Sequence, residues 1–177
     1  KNDEVFAKER RIYELSQVDG MPSSMPYQMP FRHLCNLLQT NSGDIDAVVA
    51  SLTDITKDQE ERFRTRCKCA WYWITECAPE DFRFALRKDG SKADLAEAEL
   101  AEIKKIYAEI LPKIESMEEK PLSEAVYAVA QECGIEPKTL FTATYQALIG
   151  KDQGPRLANF MKIIGKKRLE EILKVYV

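Results

Sequence analysis

The sequence predicts an all-α protein, a multi-helix bundle or cage of about eight to nine helices. Three observations carry this expectation. Apolar side chains recur at i, i+3, i+4 and i+7 in one segment after another. No segment sustains the alternation of apolar and polar residues that marks a half-buried strand. Glycine or proline punctuates most of the joins. The 177 residues are 45% apolar and 31% charged, enough to bury roughly two thirds of the unfolded surface. The helices can divide into two small subdomains, residues 1–91 and 92–177.

The elements follow in order. A first helix spans about Asp3 to Gln17, and Gly20, Pro22, Pro26 and Pro30 then mark an extended connector, because a proline ring cannot continue a helix. Pro30 suits a first helical position, and Phe31, Leu34, Cys35 and Leu38 share one face of the helix it opens, which ends near Asn41. Ser42 or Asp44 can cap a short helix carrying Ile45, Val48, Val49 and Leu52. Thr56 and Gln59 have capping-box spacing for a long helix with Phe63, Cys67, Ala70, Trp71, Ile74 and Cys77 on its buried stripe. Trp73 lies off that stripe. Pro79 to Gly90 reads as a connector whose Phe82, Phe84 and Leu86 pack into a neighbouring groove. Next comes an acidic helix with Leu100, Ile103, Ile106, Ile110 and Ile114 inward, kinked by Pro112. Gly134 and Gly150 are placed to close two further helices in left-handed conformation, the second carrying Leu140, Phe141, Tyr145 and Leu148 inward. Gly165 separates the last two.

Charge is uneven along the chain. The net of −3 hides −7 over Asp94 to Glu136 and +5 over Lys138 to Val177. The basic end is therefore the candidate polyanion face. Most of its cations sit near helix junctions: Arg156 follows Gly154 and Pro155 at the head of a helix that also carries Lys162, and Lys166, Lys167 and Arg168 follow Gly165 at a helix start, where the macrodipole disfavours positive charge. A bound anion would compensate. RNA fits, since helix N-termini accept phosphate oxygens while bases stack on aromatic or guanidinium planes. That nominates Arg156 and Asn159, whereas Phe160 is better suited to the core.

Other chemistries find no purchase. His33 is the only histidine, the five cysteines form no Cys-x-x-Cys pair, and no phosphate-loop string occurs, so no metal set or catalytic constellation emerges. Glu97, Glu99 and Glu102 read as a solvated face. No run of about 18 uninterrupted apolar residues could span a bilayer. The start Lys1-Asn2-Asp3-Glu4 has neither methionine nor the apolar core of a secretory signal, which suggests an excised fragment of a cytoplasmic protein.

Several strings then align with a known pattern: Pro30-Phe31-Arg32-His33-Leu34, Ala70-Trp71-Tyr72-Trp73-Ile74 leading to Ala78-Pro79-Glu80-Asp81-Phe82-Arg83-Phe84, Leu140-Phe141 with Tyr145 and Leu148-Ile149-Gly150-Lys151, and Gly154-Pro155-Arg156-Leu157. In order and spacing the chain resembles the C-terminal half of class I lysyl-tRNA synthetases. The resemblance implies a helical cage that grips the anticodon of a lysine tRNA, residues 92–177 forming the anticodon-binding cage and 1–91 a stem-contacting subdomain that also supplies the first part of the cage. It also implies a catalytic Rossmann domain elsewhere as the partner that binds ATP and lysine; neither a His-Ile-Gly-His-like nor a Lys-Met-Ser-Lys-Ser-like string occurs in this chain. The fragment alone would then need no cofactor and be inactive. Carried over by position are Arg32, His33, Gly154, Pro155 and Arg156 as RNA contacts; Asn159, Lys162, Lys166, Lys167 and Arg168 join them from stacking and charge. His33 can equally cap its helix. The competing expectations are the corresponding domain of a glutamyl-tRNA synthetase, similar in architecture, and a helical protein-interaction scaffold using the acidic region and Trp73.

Overall fold

A computed structural model describes residues 3–18, 21, 25–87 and 90–177. Gly20 and Pro22 of the expected connector lie outside the described residues. Among those described there are nine α-helices: α1 Asp3–Ser16, α2 Phe31–Thr40, α3 Ile45–Ala50, α4 Lys57–Tyr72, α5 Glu97–Lys105, α6 Glu119–Cys133, α7 Pro137–Ile149, α8 Leu157–Ile164 and α9 Lys166–Leu173. None of the described residues forms a strand.

Local chemistry sets the boundaries. Asp44 caps α3 by accepting the Ala47 N–H at 3.0 Å, and the Gln59 side chain accepts the Thr56 N–H at the head of α4 at 3.3 Å. Gly134 and Gly150 close α6 and α7 with φ of 69° and 68°. Two helices run on in altered geometry. α4 continues as a π-helical turn, Trp73–Cys77, and α5 as another, Ile106–Ile110, before the short 3-10 turn Leu111–Lys113. Pro112 has no N–H to give the preceding turn and crowds the carbonyl four residues back, so the widened turn ahead of it relieves the clash.

The first π-turn corrects one expectation. Cys77 is exposed, not buried, because the extra residue in that turn rotates it off the apolar stripe and brings Ala78 inward instead. A second correction concerns Glu102. Its carboxylate is fully buried beside Ile103, and neither oxygen has a hydrogen-bond partner. Desolvation, with help from the Glu99 charge, pushes its pKa up to about 7. Only Glu97 of the expected solvated acids is fully exposed, since Glu99 folds back to accept the Ala96 N–H at 2.8 Å.

Two apolar clusters form. One gathers Leu34, Leu38, Val48 and Phe63 from α2, α3 and α4 with Met29 ahead of α2 and Ile74 in the first π-turn; the other gathers Ile103, Leu122, Leu140, Phe160 and Leu169 from α5 to α9 with Ile106 in the second π-turn. α2 packs on α8, whose Ile163 reaches the first cluster. The strap of residues 82–87 serves both. Phe82 meets Trp73 edge-on at 5.1 Å, and Phe84 meets the fully buried Phe160 in the same way at 5.1 Å. Gln39 fixes the strap to α2 by accepting the Phe84 N–H at 2.7 Å.

Candidate nucleic-acid interface

The corner between α7 and α8 is held by polar contacts out of proportion to its length. Gly150 ends α7 in the left-handed region, and the Gln146 amide donates to Asp152 at 2.7 Å in the turn that follows. The Tyr145 ring lies under Gly154: a Cβ there would come within 2.9 Å of two ring carbons and 3.2 Å of the Ile149 δ-methyl, so only glycine fits. The Tyr145 hydroxyl donates to the Pro155 carbonyl, and burial pushes its pKa up to about 12. Arg156, next in sequence, is then delivered to the head of α8 with an exposed side chain.

Cations on the inner side of the corner are consumed by carbonyls. Arg87 donates from Nε to the Gln146 carbonyl at 2.7 Å, and its backbone N–H donates to the Leu148 carbonyl at 2.8 Å, which satisfies groups left open at the C-terminus of α7. The Lys151 ammonium donates to the Glu80 carbonyl at 2.6 Å.

The outward cations differ among themselves. Arg32, Arg156, Lys166 and Lys167 form no ion pair with any described residue. Arg168 does, with Glu171 at 3.1 Å, which corrects the expectation of three uncompensated charges at the head of α9. Lys162 is exposed but donates to the Met117 carbonyl at 2.6 Å, tying α8 to the segment ahead of α6. Asn159 is half-buried in the first turn of α8. Arg156 and Lys166 stand at opposite ends of α8, an eight-residue helix about 12 Å long. Arg32 and His33 open α2, the helix that packs on α8. His33 makes no capping hydrogen bond. Trp73 is taken up between Phe31 and Phe82 at 5.3 and 5.1 Å, which accounts for an aromatic residue off the α4 stripe.

Beside Arg156 opens a groove of about 650 Å³. One face of α6 supplies Glu119, Lys120, Ser123, Val126 and Tyr127, at helical spacing i, i+1, i+4, i+7 and i+8. α7 supplies Phe141 and Tyr145, and Leu157 and Ala158 complete the floor. Lys120, Ser123 and Tyr127 were not among the residues nominated from sequence, because α6 lies in the acidic stretch and only the fold turns this face toward the basic corner.

Residues 74–174 match the family described as anticodon binding domain. Over 99% of its length the chain is 53% identical to a lysine–tRNA ligase of Treponema pallidum. It is 39% identical over 95% of its length to a lysine–tRNA ligase of Borrelia garinii, and 32% identical over 94% to that of Thermococcus kodakarensis. The chain spans about a third of the length of each, covering 34%, 32% and 33% of them.

Proposed function

The chain belongs to the anticodon binding domain family, and we propose that it grips the anticodon loop of a lysine tRNA at the corner around Arg156. The observation that carries the reading is the pinning of Gly154 and Pro155 on Tyr145, which presents Arg156 at a helix start where it forms no ion pair with any described residue. Lys166 and Lys167 extend the positive potential along the other end of α8, where phosphates set the register of the loop while bases meet the groove. Asn159, half-buried in the first turn of α8, would bond a base edge or ribose next to Arg156, with Arg32 and His33 contributing from the neighbouring helix.

In this reading the protein acts within a lysine–tRNA ligase whose remaining two thirds bind ATP and lysine, so the domain requires no cofactor and works in the cytoplasm. No helix among the described residues is long and apolar enough to cross a membrane. The test is titration of the purified chain with a lysine-tRNA anticodon stem-loop at several salt concentrations. Affinity should fall steeply with salt. Arg156→Ala should weaken it by about 1–3 kcal/mol, the cost of a lost stacked or bidentate arginine. Salt-indifferent binding, or an unaffected Arg156→Ala variant, would refute the reading.

A further inference from the structure

We infer that the groove between α6, α7 and the head of α8 receives a single extruded RNA base, and that Tyr127 is the platform on which that base stacks. The inference rests on the anticodon-binding reading and adds to it a residue and a mode of contact. Tyr127 stands on the groove rim, 44% exposed although its helix is well packed. Phe141 packs against it in a T-shaped pair, with centroids 5.2 Å apart and planes at 83°, which orders the phenol while 44% of the residue stays in solvent. Ordered aromatic rings with an open face are what unpaired bases stack on, because every base offers a π-face.

Charge in the groove argues for a base inside and phosphates outside. Glu119 lines the same wall as Lys120, and a carboxylate there repels a phosphate while it can accept an N–H from a base edge. Lys120 and Arg156 then meet the flanking phosphates or the outer edge of the base. The floor of Val126, Tyr145, Leu157 and Ala158 is apolar and nearly fully covered, apart from a Tyr145 hydroxyl already committed to Pro155. A flat body with a polar rim fits such a space; a duplex does not enter it.

The experiment measures the affinity of the whole chain and its Tyr127→Ala and Tyr127→Phe variants for the anticodon stem-loop and for stem-loops carrying an abasic site at each loop position in turn. Tyr127→Ala should weaken binding roughly 5- to 150-fold, the range for loss of one stacked base, and Tyr127→Phe should bind like the parent. An abasic site at one position should cost the same factor and leave nothing further for Tyr127→Ala to remove. Losses that multiply at every position, or a Tyr127→Phe variant as weak as Tyr127→Ala, would overturn the platform while leaving the anticodon reading intact. A parent chain that binds the stem-loop no better than the same stem closed by an unrelated loop would sink the anticodon reading, and the platform with it. Thermal midpoints of the variants confirm that they fold, as expected for a rim residue.

Discussion

Two residues show how this protein places polar chemistry inside an apolar cage. Gly154 is held to zero side chain by the Tyr145 ring 2.9 Å from where a Cβ would stand. Gly154→Ala must move the ring or the corner, so it should cost about 1–3 kcal/mol of stability, as overpacking does, and displace Arg156. Denaturation midpoints and stem-loop affinity should fall together; a variant that loses neither would show that the corner tolerates the methyl group. Glu102 presents the opposite problem, a buried carboxyl with no partner. Its pKa is raised from 4.5 to about 7, so the folded state holds the proton more tightly than the unfolded state. The stability this contributes is complete below about pH 4.5 and is lost as pH rises through about 7. Glu102→Gln should therefore leave acidic stability near the parental value and raise stability at pH 8 by about 1–3 kcal/mol, the penalty of a buried unpaired group. Thermal melts at both ends of the range decide it, and parallel pH profiles for the two proteins would refute the assignment.

At the level of elements, α1 stands apart. None of its residues is buried, and Val5, Phe6, Ile12, Tyr13 and Leu15 are all exposed. Removing residues 1–16 should thus change the unfolding free energy by no more than about 0.5–1 kcal/mol, the scale of surface changes, whereas Asp44→Ala, which strips the cap from α3, should cost about 0.5–2 kcal/mol. Chemical denaturation of both variants makes the comparison. These elements were readable in advance because each announces itself locally: Asp44 and Gln59 as caps, Gly134 and Gly150 as left-handed stops, and the i, i+3, i+4 spacing of α2, α4 and α7. What escaped notice depended on geometry that periodicity does not encode. A 3.6-residue period points Cys77 inward, but a π-turn locally widens that period, and Glu102 resembles in sequence the neighbouring acids that do not face the core. Tyr127 and Lys120 carry no signal in the sequence, since a groove made by three helices has no signature in any one of them.

Across the whole molecule, the charge asymmetry of the sequence resolves into cations with distinct duties. If Lys166 and Lys167 meet single-stranded phosphates, Lys166→Ala and Lys167→Ala should each flatten the plot of log affinity against log salt by about 0.7. Arg168→Ala should change that slope much less, because Glu171 already holds its guanidinium. Equal slopes for all three variants would remove the distinction. The strap of residues 82–87 has a wider consequence. Through Arg87 on the Gln146 and Leu148 carbonyls, the Glu80 carbonyl on Lys151, and Gln39 on Phe84, the loop that carries Arg156 is mechanically tethered to the bundle of α2 to α4. Any load that an RNA places on that loop is therefore shared by both halves of the chain, and amide exchange should slow on α2 as well as on α7 when the ligand binds.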